Sequence, residues 1–108
     1  VFQYKALVVN IVDADTVDLM VDVGFRHWMK DRFRLYGIDA WEPKGKEREK
    51  GVAATLALKR FIDKKELTIK THSDKQGKYG RWLADLYLDN THINKWLVES
   101  GHAVWVDY

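Results

Sequence analysis

Hydrophobic and polar residues alternate over the first third of the chain. Val17, Leu19, Val21 and Val23 fall on one side of the alternation and Asp18 and Asp22 on the other. A period of two is what a half-buried strand requires. The preceding stretch, residues 2–12, is rich in aromatic and β-branched residues and reads as a first strand, with Asp13-Ala14 as the tight turn between the two. Gly24 closes the second strand. A third is expected over residues 26–36, with Phe33 and Leu35 inward and Arg32, Arg34 and Tyr36 on the opposite side. Residues 37–46, punctuated by Gly37, Pro43 and Gly45, read as a loop. The period then lengthens: Ala54, Leu58, Phe61 and Ile62 sit at i, i+4, i+7 and i+8, the stripe of a helix over residues 47–62. Residues 67–72 predict a fourth strand, 73–79 a polar loop and 82–88 a fifth strand. Asp89-Asn90 turns the chain into a short helix carrying Ile93, Trp96, Leu97 and Ser100. Gly101 follows where a helix end favours a left-handed residue. Periodicity alone gives a small α+β domain.

Composition narrows this little but usefully. At 108 residues, 46% hydrophobic and 13% aromatic, the chain is one domain with enough apolar surface for a packed core, which argues against disorder for its bulk. A net charge of +2 neither argues for a polyanionic partner nor against one; clustering decides. The absence of cysteine excludes disulfides, zinc–thiolate sites and thiol catalysis. No apolar run reaches the length needed to span a bilayer, so no membrane association is expected. A start at Val1 is compatible with a removed leader or a trimmed fragment, which leaves secreted and cytoplasmic locations both open.

Three short segments carry the candidate chemistry: Val12-Asp13-Ala14-Asp15-Thr16-Val17, Phe33-Arg34-Leu35-Tyr36-Gly37-Ile38-Asp39-Ala40-Trp41-Glu42, and Lys78-Tyr79-Gly80-Arg81-Trp82-Leu83-Ala84. Asp15 and Asp39 are candidates to hold a divalent cation, with a backbone carbonyl and waters completing an all-oxygen shell that suits Ca²⁺ or Mg²⁺ and is wrong for zinc or copper. Arg34 and Arg81 offer planar forks that pair bidentately with phosphate. Glu42 is placed to orient or deprotonate water. Singly, each has a plainer reading. Asp13 and Asp15 serve as turn residues, Arg34 snorkels at a barrel rim, and Arg81 and Glu42 are solvated loop charges.

In this order and context the three segments resemble the staphylococcal nuclease (thermonuclease) family. The similarity extends to Asn94-Lys95-Trp96-Leu97-Val98 and Gly101-His102-Ala103-Val104, and so covers residues 10–108. The resemblance implies a five-stranded OB-type β-barrel with a helix between strands three and four and a short helix after strand five. It implies Ca²⁺, with Mg²⁺ or Mn²⁺ as alternatives, on Asp15, Asp39 and the Ala40 carbonyl. It further implies phosphate-binding Arg34 and Arg81, a catalytic Glu42, and products with 3′-phosphate ends. The expected substrate is single-stranded DNA or RNA, and the expected state a monomer. Tyr79 is the base-stacking candidate and Trp41 a weaker second; the five tryptophans are expected to be mostly core.

The chain departs from the family pattern in places. Trp41 precedes Glu42 where the family carries proline, Pro43 follows it, and Ala14 stands where glycine is usual. The family's C-terminal helix would lie beyond Tyr108 and is expected to be absent here, which would uncover apolar surface near Val104 and Trp105. His27, His72, His92 and His102 lack ligand spacing and are assigned structural or surface roles, and the mixed charges of residues 44–50 a solvated loop and first helical turn. The rival class is a non-catalytic nucleic-acid or protein interaction module on the same barrel. Retention of both carboxylates and both arginines favours the enzyme.

Overall fold

Five strands close into a barrel in the computed structural model, which describes residues 2–76 and 82–106. β1 (Phe2–Asp13), β2 (Thr16–Asp22) and β3 (Trp28–Leu35) form an antiparallel meander. β4 (Ile38–Ala40) follows, then a 3₁₀ turn at Gly45–Glu47 leading into α1 (Arg48–Ile62). β5 (Glu66–Gln76) returns antiparallel along β1, and β6 (Trp82–Leu88) pairs with β5. β6 also runs parallel to β3, with Phe33 opposite Trp82 and Leu35 opposite Ala84, and this pairing closes the ring. β7 (Thr91–His92) leads into α2 (Ile93–Glu99), and β8 (Ala103–Trp105) pairs with β4 in a separate two-stranded sheet. The architecture is the α+β, OB-type barrel that the sequence implies. No helix among the described residues is long and apolar enough to cross a membrane.

The alternation read from the sequence is the barrel's inner face as far as Val21; Val23 lies past the end of β2 and is exposed. Ala6, Val8 and Ile11 of β1, Val17, Leu19 and Val21 of β2, and Phe33 and Leu35 of β3 are buried. Each large apolar side chain so removed from water contributes about 1.5–3 kcal/mol. α1 closes one side with Ala54, Leu58 and Ile62, and α2 adds Ile93 and Leu97. The helices meet where Phe61 and Trp96 pack edge to face, ring centroids 4.7 Å apart. Asn94, fully buried, ties α2 to the barrel. Its Oδ1 accepts the Leu86 N–H at 3.0 Å, and its Nδ2 donates to the Tyr36 and Ala84 carbonyls at 2.9 and 3.2 Å. Gly101 ends α2 at φ +81 with the paired bonds of a Schellman cap, Gly101 N–H to the Val98 carbonyl and His102 N–H to that of Leu97.

Element boundaries moved where local chemistry outweighs pattern. The first turn lies at Ala14–Asp15, one residue later than expected, because the Asp13 carboxylate accepts the Asp15 N–H at 3.2 Å and Asp13 itself pairs with Thr16. β3 begins at Trp28 because Gly24, Phe25 and Arg26 all take positive φ in the preceding loop. β5 continues to Gln76 through sequence too polar to read as strand, since Gln76 finds a backbone partner in Trp82. The expected loop over residues 37–46 contains β4, whose partner β8 sets Ala103 opposite Ala40. Val104 and Trp105 are exposed.

Candidate active site

Asp13, Asp15, Thr16, Arg34, Asp39, Ala40, Trp41 and Glu42 line one polar cleft of ≈130 Å³ where the β1–β2 turn meets the end of β3 and β4. A larger hollow of ≈290 Å³ lies among Phe2, Tyr4, Val21, Met29, Phe33 and Trp82; its walls are mostly apolar and, among the described residues, hold no carboxylate or guanidinium. The smaller cleft gathers three aspartates, an arginine and a glutamate from the candidate segments.

Asp15 is its buried corner. The turn that carries it is stapled to the end of β3 by the Leu35 N–H, which donates to the Asp15 carbonyl at 2.9 Å. Its side chain reaches across to β4: Oδ2 accepts the Ala40 N–H at 3.1 Å, while Thr16 Oγ1 donates to Oδ1 at 3.1 Å. Burial, followed by the neighbouring Asp13 carboxyl, pushes Asp15 up to about 6, against the opposing pull of Arg34 and the Ala40 N–H. The corner is therefore short of positive charge even with an arginine beside it.

That arginine is Arg34. Its position on β3 alternates with buried Phe33 and Leu35, which aims it off the core and into the cleft. Nη1 lies 3.4 Å from Asp15 Oδ2, and Nη2 lies 3.3 Å from Asp39 Oδ1 and donates to the Ile38 carbonyl at 3.3 Å. One guanidinium thus bridges a buried carboxylate and an exposed one, Asp39 being 58% exposed at its side chain.

Glu42 completes the set from the exposed rim, and its carboxylate makes no hydrogen bond or ion pair among the described residues. Its backbone is firmly held. Trp41 donates its N–H to the His102 carbonyl at 3.2 Å and its Nε1 to that of Gly101 at 2.8 Å, and Lys50 Nζ stands 4.9 Å from the ring. Two hydrogen bonds to the segment after α2 supply here the restraint that a proline before the glutamate would give to φ. From the other side, α1 abuts directly: a Cβ on buried Gly51 would overlap the Glu42 carbonyl and the Pro43 nitrogen.

The structure thus brings Asp15, Arg34, Asp39, Ala40 and Glu42 together; Tyr79 and Arg81 lie outside the described residues. The donors are oxygens, as a hard divalent cation requires. Among the described residues no three acidic or histidine side chains form a ready cage, so the set fits a cation that keeps waters in its shell rather than one fully enclosed by protein. Sequence reasoning missed Gly51, whose place on the buried face of α1 was the available signal. It also missed the joint use of His72 and His92, which both bond Asp85 at 2.8 Å and stack on Tyr36 and Tyr87. The period-two offset between Asp85 and Tyr87 on β6 is too common a pattern to have disclosed that pairing.

The sequence model of the family described as Staphylococcal nuclease homologue matches residues 32–108, a span that includes Arg34, Asp39, Ala40, Glu42 and Arg81. Asp15 precedes that span and joins the site through the cleft. An uncharacterized protein of Bacillus anthracis is 31% identical over 104 residues, covering 93% of this chain and 46% of that protein. The chain therefore spans less than half the length of that relative.

Proposed function

The chain belongs to the family of staphylococcal nuclease homologues, and from that membership we propose that it is a metal-dependent nuclease cutting single-stranded DNA and RNA to leave 3′-phosphate ends. The observation that carries the reading is Arg34 within 3.4 Å of two carboxylates, with an unbonded third carboxylate, Glu42, in the same cleft. A phosphodiester resists water because negative oxygens surround the phosphorus, so catalysis consists chiefly of positioned positive charge and a group that takes the proton of water.

Asp15, Asp39 and the Ala40 carbonyl would hold Ca²⁺, with Mg²⁺ or Mn²⁺ as substitutes, and the ion supplies positive charge beside the phosphoryl oxygens. Arg34 presents its fork to those oxygens from the cleft wall, and Arg81 is assigned the second fork. Glu42 takes a proton from the attacking water as its oxygen bonds to phosphorus. The P–O5′ bond breaks, and the 5′-oxygen takes a proton from solvent to leave as a hydroxyl. Tyr79 is assigned to stack a neighbouring base. A narrow cleft that grips one phosphate from several sides requires a backbone able to bend into it, which favours unpaired strands. The protein acts as a monomer in this scheme.

The ties of Asp15 to Ala40 and Arg34 favour a second reading, a binding module in which these groups merely fix β4. Digestion of labelled single-stranded DNA with Ca²⁺ and with chelator separates the two. The nuclease reading expects Ca²⁺-dependent fragments with 3′-phosphate ends; intact DNA under both conditions supports the module.

A further inference from the structure

The outer face of β3 leads away from Arg34. Side chains two apart along a strand share a face, so Trp28, Lys30, Arg32 and Arg34 form one row, on the order of 20 Å long. The inward row, by contrast, ends in buried Phe33 and Leu35. Among the described residues β6 pairs with β3 only from Phe33 to Leu35, and no described strand pairs with the Trp28 end of the row on that side.

Two features at that end have no role in the core. Trp28 is 54% exposed, and Phe25, in the loop before it, is 95% exposed. Phe25 and Arg26 hold φ of +55 and +63, a conformation costly for residues with side chains. Bonds from the Gly24 N–H to Asp22 Oδ1 at 2.9 Å, from the His27 N–H to the Gly24 carbonyl and from the Val23 N–H to the His27 carbonyl fix the loop in this form. The nearby acids are already engaged: Asp22 by that bond, and Asp18 by Arg32 at 2.8 Å and Asn10 at 3.2 Å. Arg26 and Lys30 form no ion pair among the described residues, although Asp18 is near enough to feel Lys30, so two exposed cations stand along this end of the row. Lysine on an open edge also guards against strand pairing. That purpose requires neither tryptophan nor phenylalanine in water.

We propose that the outer face of β3, from Arg34 through Arg32 and Lys30 to Trp28 and the Phe25–Arg26 loop, is a track for the flanking strand of a single-stranded nucleic acid. Its phosphates meet Lys30 and Arg26, and its bases stack on Trp28 and Phe25. The track rests on the nuclease reading for its direction, because it joins the cleft at Arg34, but its own test needs no cutting.

The probe is a labelled oligodeoxythymidylate, titrated by fluorescence anisotropy in chelator over a range of salt. Trp28→Ala removes a stacking platform and is expected to weaken binding about tenfold. The exposed pair Arg26→Asn and Lys30→Gln, combined, is expected to lower the salt slope by about 1.4, two phosphates' share for a single strand. Asparagine tolerates the left-handed backbone at position 26, and unchanged thermal midpoints check that both variants fold. Wild-type affinity and salt slope in both variants overturn the track, as does a wild type that does not bind the probe. A wild-type dimer in sedimentation that Trp28→Ala dissociates would assign the patch to self-association instead and also overturn it. Track-dependent binding without cleavage in Ca²⁺ defeats the nuclease reading and leaves the track standing; cleavage with binding indifferent to these residues does the reverse.

Discussion

Replacing Gly51 by alanine sets two effects of known size against each other. In an ordinary helix interior the change stabilises by about 1 kcal/mol, because alanine loses less backbone freedom. Here the added Cβ would overlap the Glu42 carbonyl carbon and oxygen and the Pro43 nitrogen. These are backbone atoms, so no side-chain rotation relieves the overlap, and α1 must part from the Glu42–Pro43 peptide. Overpacking of this kind costs about 1–3 kcal/mol, so Gly51→Ala is expected to end net destabilised by about 1 kcal/mol despite its helix propensity. For a domain of this size that lowers the thermal midpoint by about 4–8 °C. The separation required is on the order of 1 Å, and misplacing a reacting group by that distance costs about 10²-fold in rate. Denaturation of wild type and variant in chelator reads the first effect, and cleavage with saturating Ca²⁺ reads the second. A variant more stable than wild type that cuts at full rate would refute the close approach. A destabilised variant with normal turnover would keep the contact and remove Glu42 from the reaction.

Asp15 gives a pH dependence with a definite sign. Its folded value of about 6 exceeds the ordinary 3.8, so the folded state holds the extra proton between those values and stability falls as pH rises through that window. The full shift corresponds to about 3 kcal/mol. Asp15→Asn should flatten the thermal midpoint against pH from 4 to 7 in chelator, and a slope equal to wild type would contradict the burial account. Glu42→Gln is expected to lower turnover by about 10²–10⁴-fold while substrate binding persists. Near-normal turnover of that variant would require another base. Asn94→Ala strips the side-chain acceptor from the buried Leu86 N–H and one donor from each of the Tyr36 and Ala84 carbonyls, the latter still accepting the Tyr36 N–H, so a loss of about 1–3 kcal/mol is expected, the Leu86 N–H carrying most of it. A midpoint within a few degrees of wild type would show that water or a shifted α2 satisfies those groups.

The sequence made the barrel strands legible because each carries a period that only one backbone form satisfies. The valines and leucine of β2 have a single buried face, and the row from Ala54 to Ile62 has a single helical stripe. The first two polar segments drew notice because their residue types match one chemistry, and the fold brings them into one cleft; Tyr79 and Arg81 of the third lie outside the described residues. Contacts between residues far apart in the chain were not. Asp15 reaches Ala40 over 25 positions and Trp41 reaches Gly101 over 60, and nothing in either local sequence encodes the partner. β4 and β8 escaped notice because three residues are too few to display a period. Gly51 shows the same limit in another form: position on the helix gives the buried face, while the reason for glycine rather than alanine is the Glu42 backbone pressed against it.

Whether these residues cut or only bind is decided most directly by single-turnover cleavage of a labelled single-stranded oligonucleotide with Ca²⁺, measured beside its equilibrium binding for wild type and Arg34→Lys. A fork opposed to transition-state charge is poorly replaced by a lysine point charge, so the variant is expected to lose about 10³-fold in rate. Its affinity should change far less, since one phosphate contact among several is retained. A wild type that binds the oligonucleotide and leaves it intact with both Ca²⁺ and Mg²⁺ would contradict the account and make the protein a binding module.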